Sequence, residues 1–135
     1  MKITKTLSPS TKDIEFLTKK INEETADKGS AYDFAFFIRD NMNEIIAGCN
    51  GSVIYGSIYT DQLWVDKAYR NQGLGYKLMD AVHAFGIESG CDFATASTMD
   101  FQNAEGFYKK LGYKVDFERA DYTDGSVCLF LKKKL

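Results

Sequence analysis

Residues 63–78, Leu-Trp-Val-Asp-Lys-Ala-Tyr-Arg-Asn-Gln-Gly-Leu-Gly-Tyr-Lys-Leu, narrow the architecture more than any other stretch of the chain. A run with strand character ends at Val65, a short basic loop follows, and Gly73 and Gly75 open an amphipathic segment. From Gly73 to Ser89 the apolar residues Leu74, Leu78, Ala81, Val82 and Phe85 form one stripe, which predicts a helix with one buried face. Gly90 is a natural stop, and Cys91 to Ser97 reads as a further strand. Strand, helix and strand in such close succession favour a parallel crossover, with the helix laid on a sheet face.

The flanking segments complete the pattern. Lys2 to Leu7 alternate polar and apolar residues, as a short half-buried strand does. Ser8-Pro9-Ser10 opens a helix: Pro9 suits a first helical position, Ser8 or Ser10 can cap, and Ile14, Leu17 and Ile21 recur at helical spacing. Tyr32 to Arg39 is an aromatic-rich strand, Asp40 to Asn43 is turn chemistry, and Glu44 to Ile54 is its hairpin partner. Ser57 to Val65 is a strand with Ile58, Thr60, Gln62 and Trp64 on one face and Tyr59, Asp61, Leu63 and Val65 on the other. A short helix over Ala104 to Leu111 ends at Gly112, and strands at Tyr113 to Arg119 and Val127 to Lys132 close the chain around a turn at Thr123 to Gly125. Three successive strands favour an antiparallel meander, so the expectation is an α/β fold with a mixed sheet and helices on its faces. With 135 residues, 44% of them apolar, and no repeat or linker, residues 1–135 read as a single domain.

The loop before Gly73 has the chemistry of an anion site. The first turn of a helix leaves backbone N–H groups unpaired, and the macrodipole places partial positive charge there. Glycines remove the Cβ atoms that would keep a phosphate at a distance. Arg70 adds a planar fork suited to phosphate, and Lys77 a second charge. The spacing is neither Gly-x-Gly-x-x-Gly, because Leu78 stands at the third glycine position, nor that of a Walker loop. Taken alone, a Gly-x-Gly pair reads equally well as an ordinary strand-to-helix turn.

Two blocks together carry more. Arg70-x-x-Gly73-x-Gly75 after the Leu63-Trp64-Val65 strand resembles the Gln/Arg-x-x-Gly-x-Gly/Ala signature of the GNAT N-acetyltransferases, an acetyl-CoA-dependent superfamily. Ala104-x-x-Phe107-Tyr108-x-Lys110-x-Gly112-Tyr113, about thirty residues further on, is similar to a second block of that family. The resemblance spans roughly residues 33 to 132. It implies a centrally twisted mixed sheet of about six to seven strands flanked by helices on both faces. It also implies acetyl-CoA as co-substrate and transfer to a primary amine of a small molecule or peptide, by direct attack in a ternary complex. Under it, Leu63, Trp64 and Val65 bond to the pantetheine arm, while Arg70, Asn71, Gln72, Gly73, Leu74, Gly75, Tyr76 and Lys77 wrap the pyrophosphate. Tyr108 protonates the departing thiolate, and a backbone N–H near Val65 stabilises the oxyanion. Many members carry asparagine seven residues before the tyrosine, where this chain has Phe101; Asn103, five before it, is the remaining candidate for a cofactor contact. The general base stays open among Asp61, Asp100 and water. A CoA-binding domain of the same fold without turnover is the alternative, and a homodimer is a further expectation by analogy.

Other classes are disfavoured. Seventeen basic against nineteen acidic residues leave no global attraction to nucleic acid, and Lys132 to Lys134 read as a solvated strand end. No apolar run approaches the roughly 18 to 20 residues that span a bilayer, and the N-terminus lacks the apolar core of a signal peptide. Cys49, Cys91 and Cys128, odd in number and widely spaced, fit reduced, mostly buried thiols in a cytoplasmic protein, and with one histidine no metal site is expected. His83 lies off the stripe of its helix and reads as exposed or locally hydrogen-bonded.

Overall fold

The computed structural model describes residues 1–135. Helix α1 (Thr11–Glu24) precedes an antiparallel meander of β1 (Tyr32–Arg39), β2 (Ile45–Ile54) and β3 (Ser57–Val65). Helix α2 (Leu74–Glu88), β4 (Phe93–Met99), the short α3 (Glu105–Lys110), β5 (Lys114–Arg119) and β6 (Cys128–Lys134) follow. The six strands form one sheet in the order β1-β2-β3-β4-β6-β5, with β3–β4 the one parallel pair, as the crossover through α2 requires. The mixed α/β architecture expected from the sequence is the one observed.

Each helix end has a local cause. Ser10, rather than Ser8, caps α1 by accepting from the Asp13 N–H at 3.1 Å, so Pro9 sits one residue before the cap and not at the first helical position. Gly90, at φ +79°, closes α2 with its N–H on the Ile87 carbonyl, and Gly112, at φ +97°, ends α3. β4 begins two residues later than expected, because the Cys91 N–H is drawn back to the Gly86 carbonyl.

The core lies between α2 and the sheet. Leu78, Met79 and Val82 of α2 meet Ala47, Cys49, Val53, Ile58, Ala94, Ala96, Leu129 and Leu131. Gly86 lets the helix approach closely, since a Cβ there would come within 2.8 Å of Ile58. Phe85 is ringed by Tyr32, Phe34 and Phe36 of β1.

Three expectations are corrected. Lys2 to Leu7 form no strand, and Ile3 and Leu7 are 100% and 88% exposed. Two apolar side chains bring at most about 3–6 kcal/mol by burial, whereas ordering six residues costs about 6–12 kcal/mol. His83 is not exposed; it is buried and hydrogen-bonded to the Tyr113 hydroxyl at 2.8 Å, thirty residues away in sequence. The faces of β3 do not alternate throughout. Asn50 pairs with Gln62 and Gly51 with Thr60, which leaves Asp61 as an unpaired extra residue. Beyond this bulge the alternation is offset, so Leu63 and Val65 continue the inward face of Ile58 and Thr60, while Gln62 and Trp64 are exposed.

Candidate active site

The bulge at Asp61 also decides where the sheet opens. β3 pairs with β4 only from Ser57 to Thr60, against Phe93 to Ala96. Past that point the strands separate, and a cleft of about 920 Å³ fills the wedge. Its walls are Asp61 to Val65 of β3, Ser97 and Thr98 of β4, the start of α2, and Tyr108 with the segment that precedes it. Two sequence details make the bulge. A Cβ on Gly51 would lie 1.8 Å from the Tyr59 carbonyl oxygen, so only glycine allows the strands to close there. The Asn50 side chain then accepts from the Gln62 N–H at 3.0 Å and takes up a donor beside the bulge.

One end of the cleft is built for an anion. Gly73 caps α2 at φ +78°, and the space where its Cβ would project is empty for 4 Å. The first bond of this helix runs from the Lys77 N–H to the Gly73 carbonyl, so the N–H groups of Leu74, Gly75 and Tyr76 have no partner within the helix. Gly75 serves packing as well, because a Cβ on it would meet Phe107 at 3.1 Å. Arg70 donates from Nε to the Val65 carbonyl at 2.8 Å, which anchors its guanidinium beside the end of β3. The intervening Lys67–Tyr69 turn is held by Asp66, whose carboxylate accepts from the Ala68 N–H at 2.8 Å. Open space at a left-handed glycine, three free N–H groups and a fixed arginine fit a diphosphate.

The other end holds Tyr108. It is 6% exposed and borders the cleft, with Phe107 and Tyr113 edge-on to its ring at 5.2 and 5.3 Å. Burial, reinforced by Cys49 and Tyr59 nearby, pushes its phenol up to about 12, so it is protonated at neutral pH. Asp61 is exposed at the bulge, and the Tyr59 hydroxyl donates to it across a long 3.5 Å.

Of the residues singled out from sequence, Asp61, Leu63, Trp64, Val65, Arg70, Asn71, Gly73, Leu74, Gly75, Tyr76, Asn103 and Tyr108 border the one cleft. Gln72 and Lys77 do not. Asp100 lies instead beside a smaller hollow with Glu105, and Phe101 is largely exposed. Seven lining residues were not anticipated: Gln62, Tyr69, Ser97, Thr98, Gln102, Ala104 and Phe107. Phe107 and Ala104 stand in the same block as Tyr108; Ser97 and Thr98 are brought in only by the parallel register with β3.

Known proteins agree with this architecture. Residues 32–115 match the acetyltransferase (GNAT) domain family. A blasticidin-S acetyltransferase from Streptomyces morookaense is 34% identical over 103 residues, covering 76% of this chain and 75% of its own length. Among solved structures, an acetyltransferase from Bacillus cereus superposes with a TM-score of 0.76 at 23% identity, over 98% of both chains. A Bacillus anthracis protein described as a streptothricin acetyltransferase, solved with acetyl coenzyme A, gives 0.69 at 18% identity, over 76% of this chain and 62% of its own. The chain belongs to the GNAT family and is an acetyl-CoA-dependent N-acetyltransferase.

Proposed function

We propose that the cleft takes the diphosphate of acetyl-CoA at the start of α2 and its pantetheine arm along β3, and that Tyr108 is the proton donor to the leaving sulfur. The observation that carries this is one continuous cleft joining the open first turn of α2 to a buried, protonated phenol. The N–H groups of Leu74, Gly75 and Tyr76, with Arg70, hold the phosphates. The backbone of Leu63 to Val65, released from β4 by the bulge, bonds to the arm, and a Val65-side N–H faces the developing charge on the carbonyl oxygen. Asn71 and Asn103 border the same path.

Acetyl-CoA supplies the thioester carbon. The amine lone pair forms the new C–N bond as the C–S bond breaks, Tyr108 gives its proton to sulfur, and the amine's extra proton leaves through Asp61 or water. The products are the amide and the free thiol, and Tyr108 recovers its proton from solvent. The raised phenol is protonated when sulfur departs, so Tyr108 has a proton to give.

For the acceptor we propose a small polar amine of the kind handled by the blasticidin-S and streptothricin acetyltransferases that this chain resembles. Thiol release is measured with blasticidin S, streptothricin, a polyamine, an aminoglycoside and an amino-acid amide. Turnover of either of the first two is expected; turnover confined to the amino-acid amide overturns the acceptor. The cofactor assignment is tested with Gly73→Asn and Gly73→Asp, near-isosteric side chains that both reach φ +78° more readily than most and that differ in charge. Acetyl-CoA is expected to bind the aspartate variant about tenfold more weakly than the asparagine variant; equal affinities would place the diphosphate elsewhere.

A further inference from the structure

Behind Tyr108 lies a buried polar pair that the chemistry above does not use. Tyr113 is 2% exposed and His83 is buried, and the Tyr113 hydroxyl shares a 2.8 Å hydrogen bond with His83 Nε2. The two come from different elements, His83 from the third turn of α2 and Tyr113 from the turn between Gly112 and β5. Tyr113 is held at both ends. Its N–H donates to the Tyr108 carbonyl at 3.0 Å, and its ring stands edge-on to the Tyr108 ring, 5.3 Å away at 77°. Burial first, then Lys133 of β6, lowers the His83 pKa against the opposing pull of Asp80 on α2; burial raises that of Tyr113. The pair is therefore neutral near pH 7, and the link is a hydrogen bond rather than an ion pair.

We propose that His83 and Tyr113 are positioning residues that fix the Tyr108 phenol relative to the first turn of α2. This rests on the reading of Tyr108 as proton donor. α3 has only six residues and does not hold a side chain in place by its own stability. α2 is a fifteen-residue rod whose N-terminus carries the anion end of the cleft. His83 stands nine residues beyond Leu74, about 13 Å along that rod. The His83–Tyr113 bond therefore braces the proton donor against the element that positions the co-substrate, and a displacement of about 1 Å in such an arrangement costs up to about 100-fold in rate.

The test is Tyr113→Phe, which removes one oxygen, made in the wild-type and in the Tyr108→Phe background and assayed by thiol release with acetyl-CoA and blasticidin S, or the panel amine turned over fastest. In the wild-type background kcat is expected to fall about tenfold with the acetyl-CoA KM within twofold. In the Tyr108→Phe background no further fall is expected. His83→Leu should reproduce the loss, and His83→Gln, which keeps a hydrogen-bonding amide, should recover at least a third of the wild-type rate. The double variant His83→Leu/Tyr113→Phe leaves no orphaned buried group; it is expected to melt higher than either single variant while kcat stays low, which separates positioning from stability. An unchanged kcat in Tyr113→Phe, an equal fall in both backgrounds, or a KM that rises as kcat falls overturns the proposal. Full activity in Tyr108→Phe alone removes the proton-donor reading, and the positioning role with it.

Discussion

The two halves of β3 behave as different objects although nine consecutive residues compose them. Ser57 to Thr60 is paired on both sides, and Ile58 and Thr60 are buried; Asp61 to Val65 has β2 on one side and the cleft on the other. One bulged residue separates scaffold from site. The contrast teaches that the opening in the sheet is made by register rather than by a missing segment: β3 and β4 both continue, but they diverge.

The largest effect is therefore expected at the residue that permits the bulge. Gly51→Ala sets a methyl group 1.8 Å from a backbone oxygen, which no rotamer change relieves. A loss of about 3 kcal/mol or more is expected from denaturant midpoints. Activity should be lost even where the chain remains folded, because β3 no longer turns away from β4. A normal rate in a folded Gly51→Ala chain would break the link between bulge and cleft.

The next pair compares the halves directly. Ile58 is fully buried in the first half, and Ile58→Ala should cost about 2–5 kcal/mol with the acetyl-CoA KM of the folded fraction unchanged. Trp64 is half exposed on the cleft wall, and Trp64→Ala should leave stability within about 1 kcal/mol. Its acetyl-CoA KM is expected to rise about fivefold. If Trp64→Ala lowers stability as much as Ile58→Ala does, the second half of β3 is scaffold too.

Titration sharpens the same division, because the buried Tyr108 borders the cleft while His83 does not. For Tyr108, with a folded value raised from 10.0 to about 12, stability is fully present below pH 10 and is lost as pH rises from there through about 12. Thermal melts across that range should fall less steeply in Tyr108→Phe. For His83 the shift is downward, so its contribution is present above the ordinary range near 6.5 and is lost as pH falls below it. Melting temperatures between pH 7.5 and 5 should decline less steeply in His83→Gln than in wild type. Parallel declines in the two chains would mean that His83 is not protected from protonation by its surroundings.

Legibility in the sequence follows the same line between local and distant causes. The bounds of β1 and β3 and the helix after Gly73 could be read because periodicity and glycine placement are written within each segment. The arginine–glycine loop was legible for the same reason. The inner face of β3 was not, because the bulge is encoded on the partner strand, in Asn50 and Gly51. His83 reads from sequence as exposed or locally hydrogen-bonded because its actual partner, Tyr113, lies thirty residues away and arrives only when α3 and β5 have folded back. Ser97 and Thr98 join the cleft through a register that no local pattern displays.

The smallest effect is expected at the N-terminus, the second place where a strand edge lacks a neighbour. β1 is the edge of the sheet, and residues 2–7, which alternate like a strand, do not pair with it. Unlike the free edge of β3, which a co-substrate covers in the proposed reaction, the outer edge of β1 has no strand paired with it. Removal of residues 2–7 should therefore change stability by less than about 0.5 kcal/mol and leave the acetyl-CoA KM unaltered, since Ile3 and Leu7 bury nothing that could be lost. The measurement is a denaturation curve of the shortened chain beside the full one. A loss above about 1.5 kcal/mol would show that the segment pairs with β1 in solution and would restore the strand that its alternation predicts. A change confined to KM would tie the N-terminal segment to the cleft instead, and the free edge of β3 would then be part of a larger binding surface than its own walls.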